Sequence, residues 1–454
     1  MVLATRQNVQ KVLKNFNKKE GVIVVKGKEL KERDDTDVEV DFRQESSFYY
    51  LTGCAEPGFS VVIDVATERI QLIAPPVNPD DVVWMGYPDS LETLQTKYDV
   101  DEAIYSTELD ARLKAASVVY TIPHFNVTFN EDVKAASEED NKALYAAICE
   151  ARIIKSDWEI EVMRKANKIS SDAHIKVMEA CTTNINEADL YAIFLNESNR
   201  HGAFFQSYMP IFGSGMNAAT LHYNKNNASI ENPTDMILVD AGCEYNYYAS
   251  DITRTFPVGG KFTEEAATIY SIVLDMQKAC IAELKSGAKW EDIHTTALEV
   301  AAEGLIKTGI LVGEKQELLD KDVVAAFFPH GIGHMIGIDV HDVPKYCTSV
   351  ERIDRPSYRY LRMRRTLAAN NVVTVEPGIY FCEFMIDPVV KDEKTSKYIN
   401  KEMLNKYKSV GGIRIEDNLV ITEDGSYNLT TVPKEINEIE AIMEEASSKK
   451  RKLD

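Results

Sequence analysis

Four acidic residues stand at the ends of apolar, strand-like segments, and this placement constrains the chain more than any other feature. Asp240 follows MILV, Glu376 follows VVTV, Glu416 lies in GGIRIEDNLVIT, and Asp251 lies across a Gly-containing turn from Asp240. His334 adds an imidazole from an equally apolar segment. Burying that many like charges is strongly unfavourable unless cations hold them together. Two divalent ions shared among Asp240, Asp251, His334, Glu376 and Glu416 meet the requirement, and the usual work of such a pair is hydrolysis. Taken singly, each acid also reads as a turn cap or a surface residue. Their recurrence at strand ends argues against that reading for the set.

A chain of 454 residues is too long for one compact core, so two domains or one very large one are expected. Its 51 basic and 72 acidic residues leave a net charge of −21, which disfavours nucleic acid as a partner. No apolar run reaches the length of about eighteen residues that a membrane span needs. The start, MVLATRQNVQKVLKNFNKKEG, lacks the hydrophobic stretch of a secretory signal, so a cytoplasmic location is expected. The basic character of that start keeps a mitochondrial alternative, and KKRK near the other end a nuclear one. The seven cysteines are scattered without CxxC pairing, which fits reduced thiols.

GVIVVK (21–26), SVVID (60–64) and IQLIA (70–74) read as strands of a small α/β domain that ends near a helix at 136–154. A restart follows at Ser156, where Glu159 completes a capping box and Ile160, Met163 and Ala166 continue an apolar stripe. Further helices are predicted at 186–198, 263–285 and 289–307. Strands are predicted at 234–240, 246–256, 372–376 and 413–421. Helices followed by hairpin-like strands indicate α+β packing rather than a doubly wound sheet. The expected division is 1–155, 156–441, and a charged, frayed tail over 442–454.

Segment 330–341 holds His330, His334 and His341 among Phe327, Phe328, Ile332, Met335, Ile336 and Ile338. It is not an HExxH zinc helix, because no glutamate lies between the first two histidines. One of these histidines is expected to ligate metal and the others to surround substrate. His222 in LHYNKN is a further candidate, whereas His124, His174, His201 and His294 read as structural or surface residues. A carboxylate-rich donor set suits Mn²⁺ best, with Co²⁺ or Zn²⁺ as alternatives.

In order along the chain, LHY (221–223), ILVDAG…SDITRTFP (237–257), PHGIGHMIGIDVHD (329–342), TVEPGIYF (374–381) and GGIRIEDNLVIT (411–422) resemble the metal-dependent Xaa-Pro peptidases, the prolidase and aminopeptidase P family. FRQESSFYYLTG (42–53) and EPGFSVVID (56–64) resemble that family's amino-terminal domain. The resemblance implies a pita-bread (creatinase/aminopeptidase-like) catalytic domain behind a smaller α/β domain that governs substrate access and supports a homodimer. It implies two metal ions on Asp240, Asp251, His334, Glu376 and Glu416, with Asp251 and Glu416 bridging and a shared hydroxide as the attacking group.

Further roles follow from the same resemblance. Glu376 would pass a proton toward the leaving proline nitrogen, and His222 and His341 would bracket the scissile peptide. His330 would shape the pocket, Arg414 would orient the bridging carboxylates, and Arg362 would grip a terminal carboxylate. Trp84 would line a neighbouring subunit's pocket. With Arg362 in that role, Xaa-Pro dipeptides are the expected substrates. The alternatives are an Xaa-Pro aminopeptidase acting on longer peptides, a methionine aminopeptidase, and a non-catalytic binding protein on the same fold.

Overall fold

The computed structural model describes residues 3–123, 129–343 and 353–450; His124, Cys347 and the last four residues lie outside the described residues. The chain divides into two compact units, Met1–Arg152 and Ile153–Asp454. No described helix is long and apolar enough to cross a membrane.

In the first unit, β1 (Val22–Lys26), β2 (Ser60–Asp64), β3 (Ile70–Ala74), β4 (Glu102–Tyr105) and β5 (Val119–Thr121) form one sheet in the order β4-β3-β2-β1-β5. The three middle strands make an antiparallel meander, with Val24 opposite Val62 and Val61 opposite Leu72. β4 and β5 join parallel at the two edges. GVIVVK and SVVID read as continuous apolar runs because strands covered on both faces need no polar alternation. Val24, Val62, Ile73, Ile104, Leu113 and Val119 accordingly form one core cluster. A different solution appears at the short helix Val82–Met85, where Val83, Trp84 and Met85 are 82%, 84% and 64% exposed, followed by Tyr87 at 89%.

The second unit opens with the helix Asp157–Ala180. The Glu159 carboxylate accepts the Ser156 backbone N–H at 2.8 Å and its hydroxyl at 2.6 Å, completing the predicted start. Ile160, Met163, Ala166, Ala173 and Val177 bury its apolar stripe. Helices Glu187–Arg200, Glu264–Glu283 and Trp290–Lys307 follow. Small antiparallel sheets complete an α+β unit. Met236–Asp240 lies between Ile211–Ser214 and Thr253–Pro257, Val372–Val375 pairs with Asp417–Ile421, and Gly378–Tyr380 pairs with Gly412–Arg414.

Three local expectations are corrected. Strand 246–256 is broken, because Asn246 and Tyr247 both take positive φ (46° and 64°) and turn a hairpin between Cys243–Tyr245 and Tyr248–Ala249. Asp251 therefore sits in the short connection between Ala249 and the strand Thr253–Pro257, not across one tight turn from Asp240. Strand 413–421 is split between two sheets, ending at Arg414 and resuming at Asp417. Finally, 442–450 is helical, as part of Ile436–Lys450, because Ile439 and Met443 bury one turn apart and anchor it.

Candidate metal centre and active site

The split strands place the acids. Asp240 ends its strand directly opposite Thr253, and an isolated bridge joins Thr253 to Glu416. Glu376 follows the strand Val372–Val375, and a further bridge ties Met335 to Val373, so His334 reaches the same spot. Candidate ligand atoms of Asp251, His334 and Glu416 lie within 4.8 Å of one another. His334 Nε2 is 3.4 Å from both Asp251 Oδ2 and Glu376 Oε1. All ten predicted site residues, including His222, His330, His341, Arg362 and Arg414, line one cavity of about 790 Å³.

Hydrogen bonds set the orientation of these groups. His334 Nδ1 lies 3.0 Å from the Met335 carbonyl, which only accepts, so Nδ1 donates there and the ring is fixed with Nε2 turned toward the carboxylates. Arg414 donates to Asp240 Oδ2 at 2.5 Å, to Thr253 Oγ1 at 3.1 Å and to the Tyr380 hydroxyl at 2.8 Å. Thr253 Oγ1 in turn donates to Glu416 Oε2 at 2.7 Å. His330 has both ring nitrogens engaged, one at 2.9 Å from the Gly331 carbonyl and the other at 2.8 Å from the Tyr380 hydroxyl. It shapes the wall with its ring and offers no spare nitrogen to a substrate.

His341 packs edge-on to His334, with centroids 4.4 Å apart, and accepts from Arg362 Nη1. Its segment is held by a buried ion pair one residue on, Asp342 with Lys155 at 2.9 Å. His222 is exposed on the cavity wall. Of the remaining histidines, His174 and His294 are buried, with burial pushing each imidazole down to about 4, and His201 is exposed.

Burial and mutual repulsion oppose ionisation of three of the four acids. Burial pushes the Glu376 carboxyl up to about 7, despite the opposing pull of His334. Glu416 is raised by burial and then by Asp251 and Glu376, and Asp240 is raised by burial against the pull of Arg414. Burial also opposes ionisation of Asp251, but His334 holds its carboxyl below the usual range. Asp240 Oδ1 and Glu416 Oε1 are buried without a hydrogen-bond partner among the described residues. Orphaned carboxylate oxygens beside an imidazole nitrogen that faces them form a donor set suited to divalent cations, so the residues fit a metal centre.

Among the cavity residues that the sequence did not single out are Tyr208 and Tyr380. Tyr380 carried a signal, since it falls on the alternation of Glu376 and Gly378 along TVEPGIYF. Tyr208 carried none. Burial first, then Asp240, Asp251 and Glu416, keep its phenol protonated.

Residues 161–423 match the profile of Metallopeptidase family M24, and residues 5–120 match that of the Aminopeptidase P, N-terminal domain. The chain is 45% identical over 429 residues to a probable Xaa-Pro aminopeptidase pepP of Pyrenophora tritici-repentis, covering 93% of this chain and 91% of that protein. It is 44% identical over 453 residues to the probable Xaa-Pro aminopeptidase pepP of Botryotinia fuckeliana, covering 97% of each. Among solved structures it is similar to the Pseudomonas aeruginosa aminopeptidase PepP, with TM-score 0.82 at 29% identity over 98% of this chain and 99% of that one. It is also similar to Escherichia coli aminopeptidase P with the inhibitor Pro-Leu, with TM-score 0.81 at 30% identity over 99% and 100%. The chain thus belongs to metallopeptidase family M24, with a pita-bread catalytic fold behind an aminopeptidase P amino-terminal domain.

Proposed function

We propose that this chain is an Xaa-Pro aminopeptidase, removing the first residue from peptides whose second residue is proline. The observation that carries the reading is the convergence of five ligand-type side chains with two orphaned oxygens in one cavity. The names of the full-length relatives support the substrate class. They also favour longer peptides over the dipeptides expected from Arg362, whose Nη1 is already engaged by His341.

Asp240, Asp251, His334, Glu376 and Glu416 would hold two divalent cations, Mn²⁺ being the best match to the donors and Co²⁺ or Zn²⁺ the alternatives. When bound, such a pair acidifies a water and polarises a peptide carbonyl. The chain's own groups do the rest. Glu376 faces the cavity and carries a proton to the departing proline nitrogen. His341, held against Arg362, lines the cavity beside His334 and is suited to meet the developing oxyanion. His222 bounds the peptide from segment 219–224 of the cavity lining, and Arg414 keeps Asp240 and Glu416 in place through one hydrogen bond and through Thr253.

A chain-length series on metal-reconstituted protein tests this. Xaa-Pro-Yaa is expected to exceed Xaa-Pro in kcat/KM by about tenfold or more, the span that loss of a single pocket contact imposes on a poorer substrate. The reverse order, together with selective loss of dipeptide cleavage in Arg362→Met, would restore the dipeptidase. Fully loaded protein that cleaves neither peptide would exclude both.

A further inference from the structure

A buried carboxylate outside the metal centre has an organisation that the reaction scheme above does not use. Glu187, the first residue of the helix Glu187–Arg200, is fully buried and has no cationic partner among the described residues. Its Oε1 accepts the Ser214 backbone N–H at 2.8 Å, the Ser214 hydroxyl at 2.7 Å and Asn217 Nδ2 at 3.2 Å. Its Oε2 accepts the Tyr223 hydroxyl at 2.8 Å and the Ala228 N–H at 2.9 Å. A helix that only needed to pack would place an apolar side chain there, since a buried charge is tolerated only when its lone pairs are met. Here every donor comes from the single segment 214–228.

That segment is a wall of the cavity, contributing Thr220, Leu221, His222 and Asn224. His222 is exposed and makes no hydrogen bond of its own among the described residues, so its placement depends on its backbone. The adjoining Tyr223 is buried and pinned to Glu187. We propose that Glu187 is a positioning residue for His222, its carboxylate gathering segment 214–228 into one shape and thereby fixing where the imidazole meets the peptide. The proposal rests on the reading of His222 as a substrate-facing group.

The test uses the full, metal-loaded chain and an Xaa-Pro-Yaa peptide, with Glu187→Gln, Tyr223→Phe, His222→Ala and the two double variants with His222→Ala. Glu187→Gln is expected to lower kcat/KM by about tenfold or more, as misplacement of a reacting partner does. Tyr223→Phe, which removes one hydroxyl and leaves the fold intact, should lower it less. Either penalty should shrink to about twofold or below once His222 is already Ala. Hydrogen exchange at the Ser214 and Ala228 amides should quicken in Glu187→Gln while the helix Asp157–Ala180 stays protected. Penalties that carry over undiminished into His222→Ala, unchanged exchange at those amides, or a silent Tyr223→Phe would each overturn the clamp. His222→Ala with wild-type turnover would overturn it through the parent reading, and that result needs no Glu187 variant to be seen.

Discussion

Asp251 and Glu376 share one imidazole nitrogen, each 3.4 Å from His334 Nε2, yet are driven in opposite directions. His334 holds Asp251 down, while burial pushes Glu376 up to about 7 from 4.5. Between those two values the folded, metal-free protein binds a proton at Glu376 that the unfolded chain lacks, so Glu376 costs stability as pH rises through that window. Glu376→Gln in chelator-treated protein should therefore raise the melting temperature at pH 7.5, and the gain should fade as pH falls toward 4.5. His174 and His294 titrate in both proteins and cancel in the difference. Scanning calorimetry at the two pH values checks this, and a gap that stays constant with pH would refute it. At this scale the ligands were legible because a carboxylate at the end of MILV or VVTV has no inexpensive apolar explanation. Glu187 was not, because a glutamate in the first turn of a helix is ordinary until its five donors are seen.

Gly242 shows how an element is shaped by a missing side chain. It is the glycine of the turn expected between Asp240 and Asp251, yet it lacks a positive φ and is needed for close approach: a Cβ there would lie 2.0 Å from the Ser250 carbonyl oxygen. Gly242→Ala must push apart the hairpin arms next to Asp251. It should cost about 1–3 kcal/mol, typical of forced overpacking, and weaken metal uptake with it. Denaturant unfolding and metal titration measure both, and an unchanged midpoint would exclude the clash. The regular strands and long helices were readable from apolar spacing and from the Ser156 cap. The interruption at Asn246 and Tyr247 was not, since positive φ at a tyrosine has no compositional signature. The helix Ile436–Lys450 was hidden by its charged face, with only Ile439 and Met443 marking the buried side.

For the molecule as a whole, Val83, Trp84, Met85 and Tyr87 stand exposed side by side along the chain, the kind of apolar strip that marks an interaction surface. We propose that self-association covers it. Trp84→Ser with Tyr87→Ser should shift sedimentation toward monomer. If the strip also screens a partner's cavity, long peptides should gain relative to tripeptides. Unaltered sedimentation would contradict the first statement, and a monomer with unaltered length preference the second. One feature of the catalytic unit also limits how its sequence can drift. Arg414 and Asp417 belong to different sheets with only Ile415 and Glu416 between them. Side chains alternate faces along such a stretch, so gaining or losing one residue would turn either the guanidinium or the Glu416 carboxylate away from the cavity. Point replacements elsewhere in this stretch are open to selection, but insertions and deletions between Arg414 and Asp417 are closed to it.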